Sequence, residues 1–141
     1  MAIKFSTLDE GRVVLVAIDG DLGTDQVQEM RRQSVELAGE TGINNFIFDL
    51  RKLTSLANGD PAAIVDLGNS YKNQNIPFWA NTAILMPVDQ RAFEQMELLH
   101  EIEISRGRGL LEYVESVDEA VAWFEEMSHR VRASAASGRS V

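Results

Sequence analysis

Two hydrophobic periods alternate along this chain. Short apolar, β-type runs occur at Val13-Val14-Leu15-Val16-Ala17-Ile18, Phe46-Ile47-Phe48, Ala83-Ile84-Leu85-Met86 and Leu110-Leu111-Glu112-Tyr113-Val114. Between them apolar residues recur at helical spacing. The alternation predicts one α/β domain with a largely parallel sheet. In such folds the chemistry gathers in loops at the carboxyl ends of the strands.

The first strand is predicted over Ile3 to Leu8, with Asp9-Glu10-Gly11 as a turn whose glycine supplies positive φ. Arg12 to Asp19 returns antiparallel to it, which makes the sheet mixed. Gly20 to Gly23 is a polar turn, and Thr24 or Asp25 is the expected N-cap of helix one. Val27, Met30, Ser34, Leu37 and Ala38 share its inward face, with Arg31, Arg32, Gln33 and Glu36 outward. Gly39 and Gly42 end it near Thr41. Phe46 to Leu50 reads as a central strand buried on both faces, and Lys52 to Gly59 as a loop. Asp60-Pro61 starts helix two, a capping acid followed by proline at the first helical position. Ile64, Leu67, Gly68 and Tyr71 face inward from that helix, and Asn73-Gln74-Asn75 stops it.

Pro77 and the aromatic pair Phe78-Trp79, a packed lead-in rather than an exposed binding pair, precede strand Thr82 to Met86. Pro87 closes that strand and Asp89 caps helix three. Phe93, Met96, Leu99 and His100 form one stripe of helix three, while Leu98 and Ile102 lie on another face. Gly107 ends the helix and Leu110 to Val114 is the last strand. Ser116-Val117-Asp118-Glu119 fits a capping box for helix four, whose inward face carries Val117, Ala120, Val121, Phe124, Ser128 and Val131. The predicted order is β-β-α-β-α-β-α-β-α, in a single domain over 1–132. The stretch 133–141 is dominated by alanine, serine and glycine and is expected to be a disordered tail.

Composition narrows the function. A chain of 141 residues is the size of one domain and buries a core without staples. No apolar run approaches the ~20 residues of a membrane span, and Met1 to Phe5 lacks a secretory signal's apolar stretch. With no cysteine, disulfides, thiolate nucleophiles and cysteine metal sites are excluded. The expected location is the cytoplasm. A net charge of −9 argues against nucleic-acid partners.

Catalytic chemistry finds little to work with. His100 sits on an apolar stripe and reads as a packing residue, and His129 as solvated; two isolated histidines make no metal site. Arg106-Gly107-Arg108-Gly109 offers an anion-binding concavity in principle, but a helix end with exposed arginines explains it more simply. No nucleophile stands beside a base, so the expectation is a non-enzyme without metal or cofactor.

At the level of the fold, residues 3 to 126 resemble the STAS domains, and within them the SpoIIAA-like branch of anti-sigma-factor antagonists. The resemblance is carried by Val14-Leu15-Val16-Ala17-Ile18-Asp19-Gly20-Asp21-Leu22, Phe46-Ile47-Phe48-Asp49-Leu50-Arg51, Ala83-Ile84-Leu85-Met86-Pro87 and Asp118-Glu119-Ala120-Val121-Ala122-Trp123-Phe124. It implies a regulatory domain whose helix-two region, here with the loop Lys52 to Asp60, faces a protein partner. The antagonists carry an Asp-Ser-(Ser/Thr)-Gly turn there, phosphorylated by a partner kinase. This chain departs from it: the turn reads Leu56-Ala57-Asn58-Gly59-Asp60-Pro61, with Asp60 at the cap and Thr54 and Ser55 several residues earlier. Asp49 is similar to the phosphoacceptor of response-regulator receivers, but that chemistry wants a lysine after the last strand, and Glu115 follows Val114. A pairing of Asp49 with Arg51 or with loop amides is the simpler reading. The lipid-carrying CRAL-TRIO domains share part of this topology but are longer.

Two functions follow as expectations. The first is a non-enzymatic interaction domain acting on a protein partner or on itself. Leu98, Ile102, Trp123 and Met127, on helices expected to be adjacent, would form the apolar strip of a homodimer. The second is a domain for a small-molecule or lipid-type ligand at the carboxyl ends of the parallel strands. Arg51, Thr54, Ser55, Asn58, Asp60, Met86 and Asp89 are its candidate binding residues.

Overall fold

The computed structural model describes residues 2–71, 81–108 and 111–139. The predicted helix stop at Asn73-Gln74-Asn75, the Pro77-Phe78-Trp79 lead-in, Gly109 and Leu110 lie outside the described residues. The elements follow the predicted order: β1 (Ala2–Leu8), β2 (Val13–Leu22), α1 (Thr24–Thr41), β3 (Asn45–Leu56), α2 (Pro61–Asn69), β4 (Asn81–Leu85), α3 (Gln90–Ser105), β5 (Leu111–Tyr113) and α4 (Val117–Arg139). A single 3-10 turn, Ala57–Gly59, joins β3 to α2. The backbone of α4 is helical as far as Arg139, past the Ala133 at which composition marks the end of the domain.

The strands lie in sheet order β1-β2-β3-β4-β5. β1 and β2 pair antiparallel, Leu8 opposite Val13, through Asp9, Glu10 and Gly11, which all have positive φ. The remaining pairs are parallel, with Val14 beside Phe46, Phe46 beside Thr82 and Ala83 beside Glu112.

That order decides which face each helix covers. The connections β2-α1-β3, β3-α2-β4 and β4-α3-β5 all step the same way across the sheet. A right-handed crossover repeated in one direction puts every connecting helix on the same face. The alternation of side chains agrees. Val14, Val16, Ile18, Phe46, Leu50 and Ile84 pack with Val27 and Ala38 of α1, Ile64 and Leu67 of α2, and Met96 and Leu99 of α3. The opposite parity, Val13, Ile47, Ala83 and Leu85, packs with Ala120 and Phe124 of α4. The last two helices are thus on opposite faces of the sheet, not adjacent.

Three local expectations change. The N-cap of α1 is Gly23 rather than Thr24 or Asp25, and Gln26 Oε1 accepts the Gly23 N–H at 2.7 Å. β2 runs on to Leu22 through two register shifts, and β3 runs on to Leu56, so Lys52 to Leu56 is strand and not loop. Arg31 of α1 is buried instead of outward. The other caps stand as read: Asp60 accepts from Ala62 N–H at 3.1 Å, Asp89 from Ala92 N–H at 3.0 Å, and Ser116 Oγ from Glu119 N–H at 3.1 Å.

Candidate functional site

Three places in the fold gather polar side chains, and the first two hold residues expected to bind a partner or ligand. The first is the entry to α2. β3 lies beside β2 up to Leu56, opposite Leu22, so Thr54 and Ser55 are held against Asp21. Both hydroxyls donate to Asp21 Oδ1, at 2.6 and 2.8 Å. These two bonds hold the Asp21 carboxyl below its ordinary value. The chain then turns through Ala57, Asn58 and Gly59, all at positive φ (53°, 55° and 73°). Two non-glycine residues in succession there are sterically costly, and burial of Ala57 with support from α3 holds them. Gln95 Oε1 accepts the Leu56 N–H at 2.8 Å. A Cβ on Gly59 would stand 3.2 Å from Gln95 Nε2 and 3.4 Å from Arg91 Nη2. The turn delivers Asp60 to the N-terminus of α2, a fixed acid at the positive end of a helix.

The second place is a cleft of about 460 Å3 at the carboxyl ends of β3, β4 and β5. Arg51, Met86, Phe93, Tyr113 and Glu115 are among the residues around it. Its volume lies within the ~300–1,000 Å3 range of ligand sites. Only Arg51 and Met86 of the expected binding residues reach it; Thr54, Ser55, Asn58, Asp60 and Asp89 do not. Arg51 is not free to bind an anion there, because its Nε and Nη2 donate to both oxygens of Asp49 at 2.9 and 2.8 Å. That pairing, with the Arg51 N–H at 3.2 Å, holds the Asp49 carboxyl low.

The third place was not expected as a unit. Arg31 of α1 reaches across to Glu103 of α3, Nη2 to Oε2 at 2.8 Å, with Nη1 3.4 Å from Ser70 Oγ. Arg108 donates to the other Glu103 oxygen. The Tyr71 ring packs against both guanidiniums, 5.6 and 5.5 Å from their central carbons. Burial pushes the Glu103 carboxyl up, but Arg108 and Arg31 outweigh it and the carboxyl titrates below its ordinary value. His100, also buried, meets the Tyr113 hydroxyl at 3.2 Å through Nδ1. Burial and the Arg108 charge push its pKa down to about 3, so it is neutral at pH 7. Sequence reading placed Arg31 and Arg108 in solvent. Gly107 does end α3, at φ 94°, and Arg106 donates to Asn69 Oδ1 at 3.0 Å.

The four residues of the expected dimer strip do not come together. Leu98 is half-buried against the core of the three-helix face, and Trp123 against that of the α4 face. Ile102 faces Gly68 of α2, where an added Cβ would be 2.4 Å from Ile102 Cγ2. Met127 is half-buried on α4. Among the described residues no cluster of three or more His, Cys, Asp or Glu could hold a metal ion. No helix among them is long and apolar enough to cross a membrane.

No protein-family model matches the chain, and no curated protein matches it. Solved structures do. The anti-sigma-factor antagonist SpoIIAA, in its unphosphorylated form, superposes with a TM-score of 0.61 at 13% identity, over 89% of this chain and 97% of that one. An uncharacterized protein of the DUF3478 family with a SpoIIAA-like fold, from Shewanella loihica PV-4, gives 0.50 at 18% identity, over 86% and 91%. The chain has a SpoIIAA-like fold.

Proposed function

We propose that this chain is a non-enzymatic regulatory domain that binds a protein partner through the turn Ala57–Gly59 and the N-terminus of α2, with no phosphorylation switch. The observation that carries this reading is Asp60, whose side chain caps α2 where the antagonists carry a phosphorylated hydroxyl. A fixed carboxylate supplies negative charge where it is stabilising, by ~0.3–1 kcal/mol. The nearest hydroxyls, Thr54 and Ser55, are both committed to Asp21. A turn held in one shape by Gln95 suits recognition, because a rigid surface loses little entropy on binding.

The test compares unmodified chain with Asp60→Asn, which keeps the cap and removes the charge. Partners cross-linked in host cells through a probe placed at Asn58 should be recovered with the unmodified chain and lost with Asp60→Asn. Equal recovery from both would overturn the reading.

The cleft at the ends of β3, β4 and β5 supports a second reading, a small-molecule ligand domain. Its volume is the observation in favour. Chemical-shift changes confined to Met86, Phe93 and Tyr113 on adding metabolite pools would support it; changes confined to the α2 entry would not. Cytoplasmic location belongs to either reading. Self-association narrows to the α4 pair Trp123 and Met127, and a monomer mass by light scattering at high concentration would remove it.

A further inference from the structure

The buried cluster of Arg31, Glu103 and Arg108 does not balance. It holds two guanidiniums against one carboxylate, with His100 neutral beside them. The side chains of Arg31, Glu103 and Arg108 are 6%, 3% and 10% exposed. A net positive charge so far from water is costly unless a counter-charge accompanies it. One donor is also left over: Arg108 Nε is buried and has no hydrogen-bond partner among the described residues.

The same side chains form the polar end of a cavity of about 90 Å3 between α1, α3 and the sheet. Its walls are otherwise largely apolar, with Val27 and Ala38 on one side, Phe48 and Ile84 on the sheet, and Leu99 opposite. At ~10–15 Å3 of such space for each water-sized unit, the cavity takes roughly six to nine heavy atoms, the size of a five-carbon acid with its carboxylate.

We propose that this cavity binds a short-chain monocarboxylic acid, its carboxylate on Arg108 and Arg31 and its alkyl chain against Val27, Ala38 and Leu99. The ligand's single negative charge brings the cluster to neutrality and gives the Arg108 Nε–H an acceptor. Guanidinium suits this role because it presents several donors to one carboxylate. An amine of the same length would add charge to an already positive site. An alcohol would fill the cavity and leave the charge unbalanced.

The experiment is thermal unfolding of the full chain in a chloride-free buffer at neutral pH, with valerate, acetate, 1-pentanol or pentylamine. A ligand that binds only the folded state raises the melting temperature with its concentration. Valerate should do so, acetate about tenfold or more less effectively because it buries fewer methylenes, and pentanol and pentylamine should have little effect. Two variants separate the ends of the ligand. Arg108→Gln leaves Arg31 and Glu103 as a balanced pair, so it should fold and bind valerate roughly tenfold or more weakly, the loss of a charged hydrogen bond. Ala38→Leu fills the apolar space and should abolish the preference for valerate over acetate. Pentanol acting as strongly as valerate, no shift with valerate at concentrations on the order of 10 mM, or unaltered valerate binding by Arg108→Gln would each overturn the proposal. Should Arg108→Gln not fold, the comparison of valerate with pentanol and the Ala38→Leu variant still decide it.

Discussion

Two of the molecule's arginine–carboxylate groups pair the same chemistry in opposite surroundings. Asp49 and Arg51 meet at the carboxyl end of β3, with Arg51 half in solvent at 48% exposure. Arg31, Glu103 and Arg108 meet between α1 and α3, away from water. The first pair is near the surface, where solvent screens it and its net contribution is small. In the second, desolvation sets the energy scale, so removing one partner leaves a bare charge in the interior. Burial, and not the chemistry of the side chains, separates a rim contact from a cluster that ties two helices together.

Glu103→Gln breaks that distinction most severely. It leaves two buried guanidiniums without a counter-charge and should cost ~3–5 kcal/mol in urea unfolding. A loss below ~1 kcal/mol would mean the cluster is solvated in practice.

Acid reaches the same region through His100. Its pKa in the fold, about 3, lies below the ordinary histidine value of 6.5, so the unfolded chain takes up its proton first as pH falls. The stability that the neutral imidazole contributes is present above about pH 6.5 and is lost towards pH 3, by up to ~1.4 kcal/mol per pH unit. Denaturation measured between pH 6.5 and 4.5, above most carboxylate titrations, should show this slope in the unmodified chain and not in His100→Gln.

Gly68 sharpens the comparison on the neighbouring α2–α3 contact, where packing rather than charge is decisive. Gly68→Ala drives a Cβ into the branched Cβ of Ile102, 2.6 Å away, and should cost ~1–3 kcal/mol. Ile102→Ala in the same chain should recover part of the loss. By the same contact Ile102→Glu damages the fold itself. The smallest effect is expected at the rim: Arg51→Gln should change stability by ~1 kcal/mol or less, and less still in high salt.

Much of this fold was legible in the sequence because its signals are local. The Asp60-Pro61 and Asp89 helix starts, the Asp9-Glu10-Gly11 hairpin and the apolar runs of β2, β3 and β4 each specify their element within a few residues. The extension of β3 to Leu56 was not legible, since Arg51, Lys52, Thr54 and Ser55 are polar; their strand is imposed by pairing with β2. The placement of α4 opposite α3 depends on sheet order, which no single segment carries. The charge of Arg31 points it outward but its spacing points it inward: Val27, Arg31, Ser34 and Ala38 follow one helical stripe. Glu103 likewise continues the stripe of Met96, Leu99 and His100. A charged residue in register with a core stripe was the available sign of a buried ion pair, and its partner on another helix was not.

The central functional claim is that the entry to α2 carries a fixed charge rather than a phosphorylation switch. Mapping the peptide from Leu53 to Lys72 by mass spectrometry, in protein purified from its native host, tests this directly. The account predicts that Thr54 and Ser55 are unmodified. Stoichiometric phosphate on either would contradict it.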